Sequence, residues 1–499
     1  MLENLVSGLA FALSMDALIY CAIGVTLGTF IGMLPGIGPM AAIAMLVPLT
    51  YYVDPAVGII MLAGIYYGAA YGGSTASILL NLPGTANTAI TCLDGYPMTQ
   101  QGRAGIALFM TTIASFFGSI CGLVILVGFA PSLSTAVLAF GSPEYFSLVL
   151  LGLLASALAA TDYPLRAVAM IVLGLLLGSV GADQNTGITR FTFDSPYLYD
   201  GFTLVAFAVG LFGIPEIISN VRTPPSRIGA KSIRLSAMLP TREDWRRSWL
   251  PMIRGTSIGA VLGALPGTGG TLATILSYST EKRVSRRPEE FGNGAIEGVT
   301  GPESANNAAI QTAFIPTLTL GIPGDAVMAL IVATLMIHGI QPGPLLVSQH
   351  PTVFWGLAAS FLVGNVLLLI LNIPLIGLWI RILSIPYKYL FPAIIVFVCI
   401  GAFSINTSPF DIYMVSFFGA LGYGLRLLRC PPAPLLMGLI LGPMLEVHLR
   451  RALQIANGDP LVFVERPISA AFLMVCVALI AAAIVRRRKP GRTFGEAKA

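Results

Sequence analysis

Charged residues are scarce in this sequence of 499 residues. They make up 10% of the chain, against 56% for hydrophobic residues, and the mean hydropathy is +0.83. A soluble globule of this size needs more polar surface than that, so the composition excludes the soluble class. Because a bilayer-spanning helix needs about 20 mostly apolar residues, the sequence predicts an all-α polytopic membrane protein with about 10 to 12 transmembrane helices.

The sequence also lacks the signatures of several enzyme classes. Its six cysteines form no C-x-x-C pair, and its three histidines are too far apart for H-E-x-x-H. It contains no G-x-S-x-G and no G-x-x-x-x-G-K-[ST], so serine hydrolysis and ATP-driven transport have no support. We therefore expect no catalytic residue, no metal site, no organic cofactor and no nucleic-acid partner. A polytopic membrane enzyme is the least supported alternative.

What the sequence does contain is a repeated Pro-Gly phrase, GMLPGIGP at residues 32–39 and GALPGTGG at residues 263–270. Further matches between the two halves follow in the same order. They pair Pro35 with Pro266, Pro83 with Pro323, Gly95 with Gly339, and Pro164 with Pro409. The separation within a pair rises in small steps from 231 to 245 positions, whereas chance matches would scatter. This pattern predicts two structural repeats.

Basic residues are unevenly distributed. Only three of the 28 lie in the first 200 positions, residues 222–254 hold eight, and residues 486–489 are all basic. The positive-inside rule places the last two segments in the cytoplasm. The predicted organisation is a first transmembrane helix (1–23), a first repeat with its following helix (24–221), a basic cytoplasmic loop (222–254), a second repeat with its following helix (255–446), and a last transmembrane helix with a basic cytoplasmic tail (447–499).

Basic residues flank the second phrase on both sides, with Arg254 before it and Lys282 after it. The stretch between them should therefore enter and leave the membrane on the same side, as a re-entrant hairpin. The first phrase has no basic flank and is followed by Asp54, which favours insertion from the opposite side and inverted repeats. The predicted hairpin tips contain Pro35, Gly36 and Gly38 in the first repeat, and Pro266, Gly267 and Gly269 in the second. The alternative is that each phrase only kinks an ordinary spanning helix.

A second Pro-Gly break follows in each half, in LLNLPGTANTA (79–89) and LTLGIPGDAVM (318–328), and a polar cluster precedes each break. A helix that restarts inside the membrane presents unpaired N–H groups and a positive dipole end, which suit a carboxylate. The candidate substrate-binding residues are Ser74, Thr75, Asn81, Thr85, Asn87, Ser304, Asn306 and Asn307. Small polar side chains in apolar helices can instead serve helix packing.

Three charged residues are further candidates. Glu303 and Asp325 lie within the second repeat, where an acid is a functional candidate by default, and we expect them to coordinate Na⁺ or to carry a proton. Glu303 could alternatively be an exposed helix cap. Arg190 lies in GADQNTGITRFTF, which is either a turn after a helix capped at Gly181 or part of an anion pathway mouth.

Across roughly residues 15–465 the chain resembles the large membrane subunit of the tripartite tricarboxylate transporters, the TctA type. The motifs that carry this resemblance are GMLPGIGP, the run from Tyr66 to Met98, GADQNTGITRFTF, GALPGTGGT, and GPESANNAA followed by LTLGIPGDAVMALI. The resemblance implies a bacterial inner-membrane permease that works with a small membrane subunit and a periplasmic solute-binding protein. It also implies uptake of citrate or related carboxylates, driven by an ion gradient. An anion channel or pore is the alternative from another class.

Overall fold

The computed structural model describes residues 2–34, 38–159, 164–183, 186–221, 238–267, 269–382 and 387–488, and this part of the chain is almost entirely helical. The first half contains α1 (Leu2–Ala12), α2 (Met15–Met33), α3 (Gly38–Leu46), α4 (Pro55–Leu80), α5 (Thr91–Gln100), α6 (Ala104–Val137), α7 (Ser142–Ala159), α8 (Pro164–Gly178), α9 (Leu204–Ala208) and α10 (Ile214–Val221).

The second half contains α11 (Arg242–Gly263), α12 (Gly269–Val284), α13 (Glu297–Thr319), α14 (Ala326–Ile337), α15 (Leu346–Gln349), α16 (Pro351–Asn372), α17 (Ile376–Ile382), α18 (Tyr387–Asn406), α19 (Pro409–Leu427), α20 (Pro432–Ile455), α21 (Val462–Glu465) and α22 (Pro467–Arg488). Short 3₁₀ turns cover Val47–Tyr52, Ala86–Thr88, Pro196–Leu198 and Pro288–Glu290, and a π-helical turn covers Val209–Gly213. Two short antiparallel strands, β1 (Gly181–Ala182) and β2 (Thr189–Arg190), pair with Gly181 opposite Arg190.

Five helices in the described part of the chain are long and apolar enough to cross a membrane, namely α2, α4, α6, α16 and α20. Shorter apolar helices accompany them, including α7, α8 and α14. The prediction of an all-α polytopic membrane protein is thus confirmed. The N-terminal prediction differs in detail, because residues 1–23 do not form one helix. Ser14 adopts an extended conformation that ends α1 and begins α2, and α1, with 11 residues, is too short to span a bilayer.

Helices α2 and α4 pack side by side and run in the same direction. A Cβ built on Gly24, Gly28 or Gly32 of α2 would lie within 2.5 Å of a carbonyl oxygen of α4, in the order Met61, Ile65 and Ala69. Glycine at every fourth position therefore lets the two backbones touch along one face. Because the contacted residues of α4 follow the same order along the chain as the glycines of α2, the two helices are parallel.

Helices α11 and α13 repeat this packing. A Cβ built on Gly255, Gly259 or Gly263 would lie within 2.2 Å of the carbonyl oxygens of Gly301, Ala305 and Ala309, respectively. The three glycines of α11 each lie 231 positions after those of α2, and their partners each lie 240 positions after those of α4. These separations equal those of the Pro35–Pro266 and Pro83–Pro323 pairs. The helix contacts in the two halves therefore follow the same alignment as the matches in the sequence.

The chain must return between two parallel helices, and it does so through α12 in the second half. Arg254 of α11 makes hydrogen bonds of 2.8 and 2.5 Å to the carboxylate of Glu281 in α12. In one continuous helix these two residues would be about 40 Å apart. Helices α11 and α12 therefore form a hairpin that turns between Gly263 and Gly269, and the alternative of a kinked single span does not describe this segment. Because α2 and α4 are also parallel, α3 and the 3₁₀ turn Val47–Tyr52 carry the chain back between them.

The central helices α4 and α13 are buried in protein along nearly their whole length. The hydroxyl of Tyr66 in α4 donates to Asp325 just beyond the end of α13, and Ser74, two turns further along α4, donates to Glu303 near the start of α13. The two helices therefore run antiparallel. The unit α2–α3–α4 therefore runs in the direction opposite to that of the unit α11–α12–α13.

Candidate functional site

A cavity of about 460 Å³ lies where the two units meet. Its size falls within the range of about 300 to 1,000 Å³ typical of small-molecule sites. Both hairpin tips and both Pro-Gly breaks reach its wall. These segments contribute Gly38 to Ala41, Gly267 with Gly269 to Thr271, Thr85 to Asn87, and Asp325 to Val327.

Three helices begin at this cavity. Helices α3 and α12 start at Gly38 and Gly269, each with a φ of +63° that glycine adopts without strain. Helix α14 starts at Ala326 after the second break. The tip and the break of the second unit are tied together, since the N–H of Gly267 donates to the carbonyl of Gly324 at 2.9 Å. The first N–H groups of a helix have no partner within it, so the starts of α3 and α12 can supply donors and positive dipole ends to one space. The first N–H groups of α14 are already bonded to the side chain of Asp325.

Asp325 is fixed at the second break by three donors. Its Oδ1 accepts hydrogen bonds of 2.9 Å from the N–H groups of Val327 and Met328, which makes it the N-cap of α14. Its Oδ2 accepts from the hydroxyl of Tyr66. One carboxylate thus begins α14, contacts the opposite unit and lines the cavity.

Two amide side chains lie beside the start of α12. The hydroxyl of Thr271 donates to Oδ1 of Asn87 at 2.6 Å. Asn306 is fully buried, and neither atom of its amide has a hydrogen-bond partner among the described residues. A Cβ at Gly270 would lie 2.6 Å from Nδ2 of Asn87 and 2.9 Å from Oδ1 of Asn306, so both amides press against the start of α12. A buried amide without a partner costs about 1 to 3 kcal/mol, so Asn306 is a candidate for contact with a ligand.

Glu303 lies in a separate polar cluster, one turn of α13 before Asn306. Its carboxylate accepts hydrogen bonds from the hydroxyls of Ser74 at 2.6 Å, Thr91, and Ser115 at 3.5 Å. The residue is 1% exposed and lies inside α13, so the exposed helix cap is the wrong alternative. Glu303 makes no ion pair within the described part of the chain.

The structure brings only part of the predicted set of site residues to the cavity. The predicted residues that line the cavity are Thr85, Asn87, Asp325, Gly38, Gly267 and Gly269. Asn306 touches the start of α12 from behind the wall. Pro266 lies in the α11–α12 turn and packs against Gly152. Pro35 and Gly36 lie outside the described residues.

Five predicted substrate-binding residues do not reach the cavity, and Ser74 is one of them, since its hydroxyl donates to Glu303. The hydroxyls of Thr75 and Ser304 and Nδ2 of Asn307 donate to backbone carbonyls three or four residues earlier in their own helices, at distances of 3.3, 2.9 and 3.0 Å, while Oδ1 of Asn307 has no partner in the described part of the chain. This is the local bonding expected of packing residues in apolar helices. Asn81 ends α4 in a left-handed conformation, with a φ of 56°, and its side chain is exposed.

The cavity wall also contains residues outside the predicted set, among them Tyr66, Glu216 and Thr271. Glu216 follows the π-helical turn Val209–Gly213, an irregularity often found at functional sites. The sequence does contain a signal for Glu216, because it is an acid within an apolar stretch. The same rule identifies Glu303 and Asp325 as candidates.

Arg190 is held in an ion-pair cluster away from this cavity. It pairs with Asp183 and makes hydrogen bonds of 3.1 and 3.0 Å to Glu446. Arg450 completes the cluster through contacts of 3.1 Å to Asp183 and 2.6 Å to Glu446. The cluster joins the β1–β2 loop to α20, so the described contacts of Arg190 are structural.

Ion pairs also fix the basic end of the α11–α12 hairpin. Arg247 pairs with Glu290 and Glu297, the latter at 2.8 Å, and Arg103 pairs with Asp244 at the start of α11. Burial alone would raise the pKa of Asp244, but hydrogen bonds from Thr241 and the guanidinium of Arg103 outweigh it and hold that pKa below its ordinary value. The entry and exit of the hairpin are thereby anchored on one side.

Comparison with known proteins shows that the chain matches a known family. The model of the family described as "Tripartite tricarboxylate transporter TctA family" matches residues 18–437. An uncharacterised 52.8 kDa protein in the TAR-I ttuC' 3' region of Agrobacterium vitis is 51% identical over 499 residues and 99% of both chains. An uncharacterised protein in the TAR-II ttuC' 3' region of Agrobacterium vitis is 56% identical over 234 residues, which is 46% of this chain and 97% of that protein. No solved structure matches the chain.

Proposed function

The chain belongs to the tripartite tricarboxylate transporter TctA family, and from that membership we propose that it is the permease subunit of a secondary transporter for tricarboxylates such as citrate, or for related organic acids. The substrate passes through the cavity between the two hairpin tips. One observation carries this proposal. Helix starts from two oppositely directed units line a single cavity within a multi-pass membrane protein.

The chemistry of the cavity wall supports an anionic substrate. In the described part of the chain the wall contains no lysine or arginine, so a carboxylate is held by helix N–H groups, amides and hydroxyls. Thr85, Asn87 and Asn306 are the side chains that we assign to this role. Donors fixed by the fold can bind an anion without the cost of a buried cation.

A multivalent anion that enters this cavity needs a compensating cation, because Asp325 and Glu216 are already acids in its wall. We assign this role to a coupling ion, Na⁺ or H⁺, with Asp325 at the cavity and Glu303 behind it as the carriers. The ion gradient then drives uptake, in agreement with the lack of a nucleotide-binding loop in the sequence.

The antiparallel arrangement of α4 and α13 supports inverted repeats, which permit alternating access by rocking one unit against the other. The remaining components follow from the family. They are a small membrane subunit, a periplasmic solute-binding protein that delivers the organic acid, and the bilayer of a bacterial inner membrane as the site of action.

Uptake into proteoliposomes tests the proposal. The chain is reconstituted with its small membrane subunit, the binding protein and labelled citrate are added outside, and an imposed Na⁺ gradient is compared with a proton gradient. We expect citrate to accumulate above its external concentration under one of the two gradients. Saturable accumulation also separates a transporter from an anion channel, in which citrate would only equilibrate. Failure of citrate and other organic acids to enter under either gradient contradicts the proposal.

A further inference from the structure

The carboxylate of Glu303 lies among buried oxygen atoms that four helices contribute. We propose that this cluster is an Na⁺ site, separate from the substrate cavity. Its ligands are side-chain oxygen atoms of α13, α4, α5 and α6, namely those of Glu303, Asn307, Ser74, Thr91 and Ser115. This inference rests on the proposed function and deepens it, because it identifies the coupling ion and the place where that ion binds.

The charge of Glu303 requires a partner. Its Oε2 accepts a hydrogen bond of 2.6 Å from the hydroxyl of Ser74, and its Oε1 accepts from the hydroxyl of Thr91. Because both carboxylate oxygens accept hydrogen bonds, the ionised form is favoured. The residue is buried, and no basic side chain in the described part of the chain pairs with it. The titratable side chains of Tyr71 and Cys92 also lie near Glu303, and neither can carry a positive charge. A bound cation would supply the missing charge.

The atoms around Glu303 suit a hard cation. Nδ2 of Asn307 donates to the backbone carbonyl of Glu303 at 3.0 Å, which places this amide one turn after the acid and fixes which of its ends is the oxygen. That oxygen, Oδ1, is fully buried and has no hydrogen-bond partner in the described part of the chain. It is an acceptor, so it suits a cation and not an anion. The buried hydroxyl of Ser115 lies 3.5 Å from Oε2 of Glu303. Hard cations prefer such oxygen ligands.

The equivalent place in the other unit lacks these ligands. The residue 240 positions before Glu303 is Ala63, which has no ligand atom. The residue 240 positions before Asn307 is Tyr67, whose hydroxyl contacts Sγ of Cys21 at 3.7 Å. Both units nevertheless keep glycine at every fourth position and the close helix contacts that it permits. The helix packing therefore does not require an acid and an amide at these two positions, which favours a role in binding.

The site lies beside the substrate cavity on the same two helices. Ala70 of α4 and Ile310 of α13 line the cavity. Ser74 follows Ala70 by one turn, and Glu303 precedes Ile310 by two turns, which is about 10 Å. Ser74 and Glu303 belong to oppositely directed units, so a cation bound between them joins those units. Na⁺ and the substrate thereby act on one pair of helices, as the coupling of their binding requires.

Ion binding measured without transport tests this inference. The full chain, purified with its small membrane subunit in lipid nanodiscs, is titrated with radiolabelled Na⁺, and its thermal unfolding is followed in NaCl and in choline chloride. We expect saturable Na⁺ binding and a higher unfolding temperature in NaCl, because an ion that binds only the folded chain stabilises it. Asn307→Leu and Ser115→Ala should each weaken Na⁺ binding by more than about tenfold, and Glu303→Gln should abolish it.

Asn372→Leu in α16 is the matched control. Asn372 is also buried, its Nδ2 donates to the carbonyl of Leu368 at 3.0 Å, and its Oδ1 has no partner in the described part of the chain. The residue one turn before it is thus a leucine where Asn307 has an acid. The control should lose the same hydrogen bond as Asn307→Leu but bind Na⁺ like the wild type.

Three results would overturn the inference. They are an absence of Na⁺ binding in the wild type, unaltered Na⁺ binding in Glu303→Gln, and equal losses in Asn307→Leu and Asn372→Leu. If Asn307→Leu does not fold, Ser115→Ala decides. Uptake of an organic acid under a proton gradient, by a chain that binds no Na⁺, removes the inference and leaves the proposed function. Saturable Na⁺ binding by a chain that transports no organic acid supports the ion site and contradicts the proposed function.

Discussion

The glycine contacts between parallel helices allow a quantitative prediction. Alanine at Gly259 would place a methyl carbon 2.0 Å from the carbonyl oxygen of Ala305, and alanine at Gly28 would place one 2.5 Å from the carbonyl oxygen of Ile65. Contacts of this type below 3.0 Å essentially never occur. The obstructing atoms belong to the backbone, so no rotamer change relieves them and the two helices must separate. Overpacking of this kind costs about 1 to 3 kcal/mol.

We therefore expect Gly28→Ala and Gly259→Ala to lower the free energy of unfolding by about 1 to 3 kcal/mol each. Gly128→Ala in α6 is the matched control, because a Cβ there meets no atom within 4 Å. Alanine is favoured over glycine in a helix by about 1 kcal/mol, so the control should be neutral or slightly stabilised. Denaturant titrations of the three variants in detergent micelles measure the difference. If Gly259→Ala were as stable as Gly128→Ala, the proposed close contact between α11 and α13 would be refuted.

Two further predictions follow from the described contacts, and a third follows from the Pro-Gly phrases of the sequence. Asp94→Ala removes the acceptor of hydrogen bonds of 2.8 to 2.9 Å from the N–H groups of Gly292, Gly294 and Ala295, so hydrogen exchange of the backbone amides in that loop should accelerate. Asp94→Asn keeps an acceptor and should preserve most of the protection from exchange. Glu303→Gln should abolish gradient-driven accumulation of citrate while citrate binding persists, because the ion carrier is lost and its hydroxyl partners remain. Unchanged accumulation would exclude Glu303 as the carrier of the coupling ion. Pro35→Ala and Pro266→Ala should let the tips straighten and reduce uptake without preventing membrane insertion, and full uptake by both variants would argue against a role for the tips.

The repeat register can be read from the sequence, but the helix contacts that it produces cannot. The separations of 231 and 240 positions were visible in Pro35 with Pro266 and in Pro83 with Pro323. The same separations relate the glycines of α2 to those of α11, and their partners in α4 to those in α13. Glycine at every fourth position indicates a close helix contact, but only the fold shows which backbone lies opposite.

The residues of the candidate site were predictable where a Pro-Gly break interrupts a helix, and less predictable within continuous helices. Thr85, Asn87 and Asp325 follow the Pro-Gly breaks, and a break exposes the residues that begin the next helix. Ser74 and Ser304 lie in buried helices with polar residues on several sides, so the crossing of α4 and α13 decides what each one contacts. Glu216 lies in α10, and its approach to the cavity depends on long-range packing against the first tip.

Cysteine labelling tests most directly whether the cavity is the substrate pathway. In a chain whose native cysteines have been replaced, a single cysteine is introduced at Ala86 or Ala433 of the cavity wall, with Ser348→Cys, on the exposed surface of α15, as the control. A membrane-impermeant thiol reagent is applied to either side of proteoliposomes. If the cavity is the substrate pathway, labelling at the cavity will stop citrate uptake, citrate will slow this labelling, and the control will show neither effect. Full uptake by chains labelled at Ala86→Cys and Ala433→Cys would contradict a pathway through this cavity.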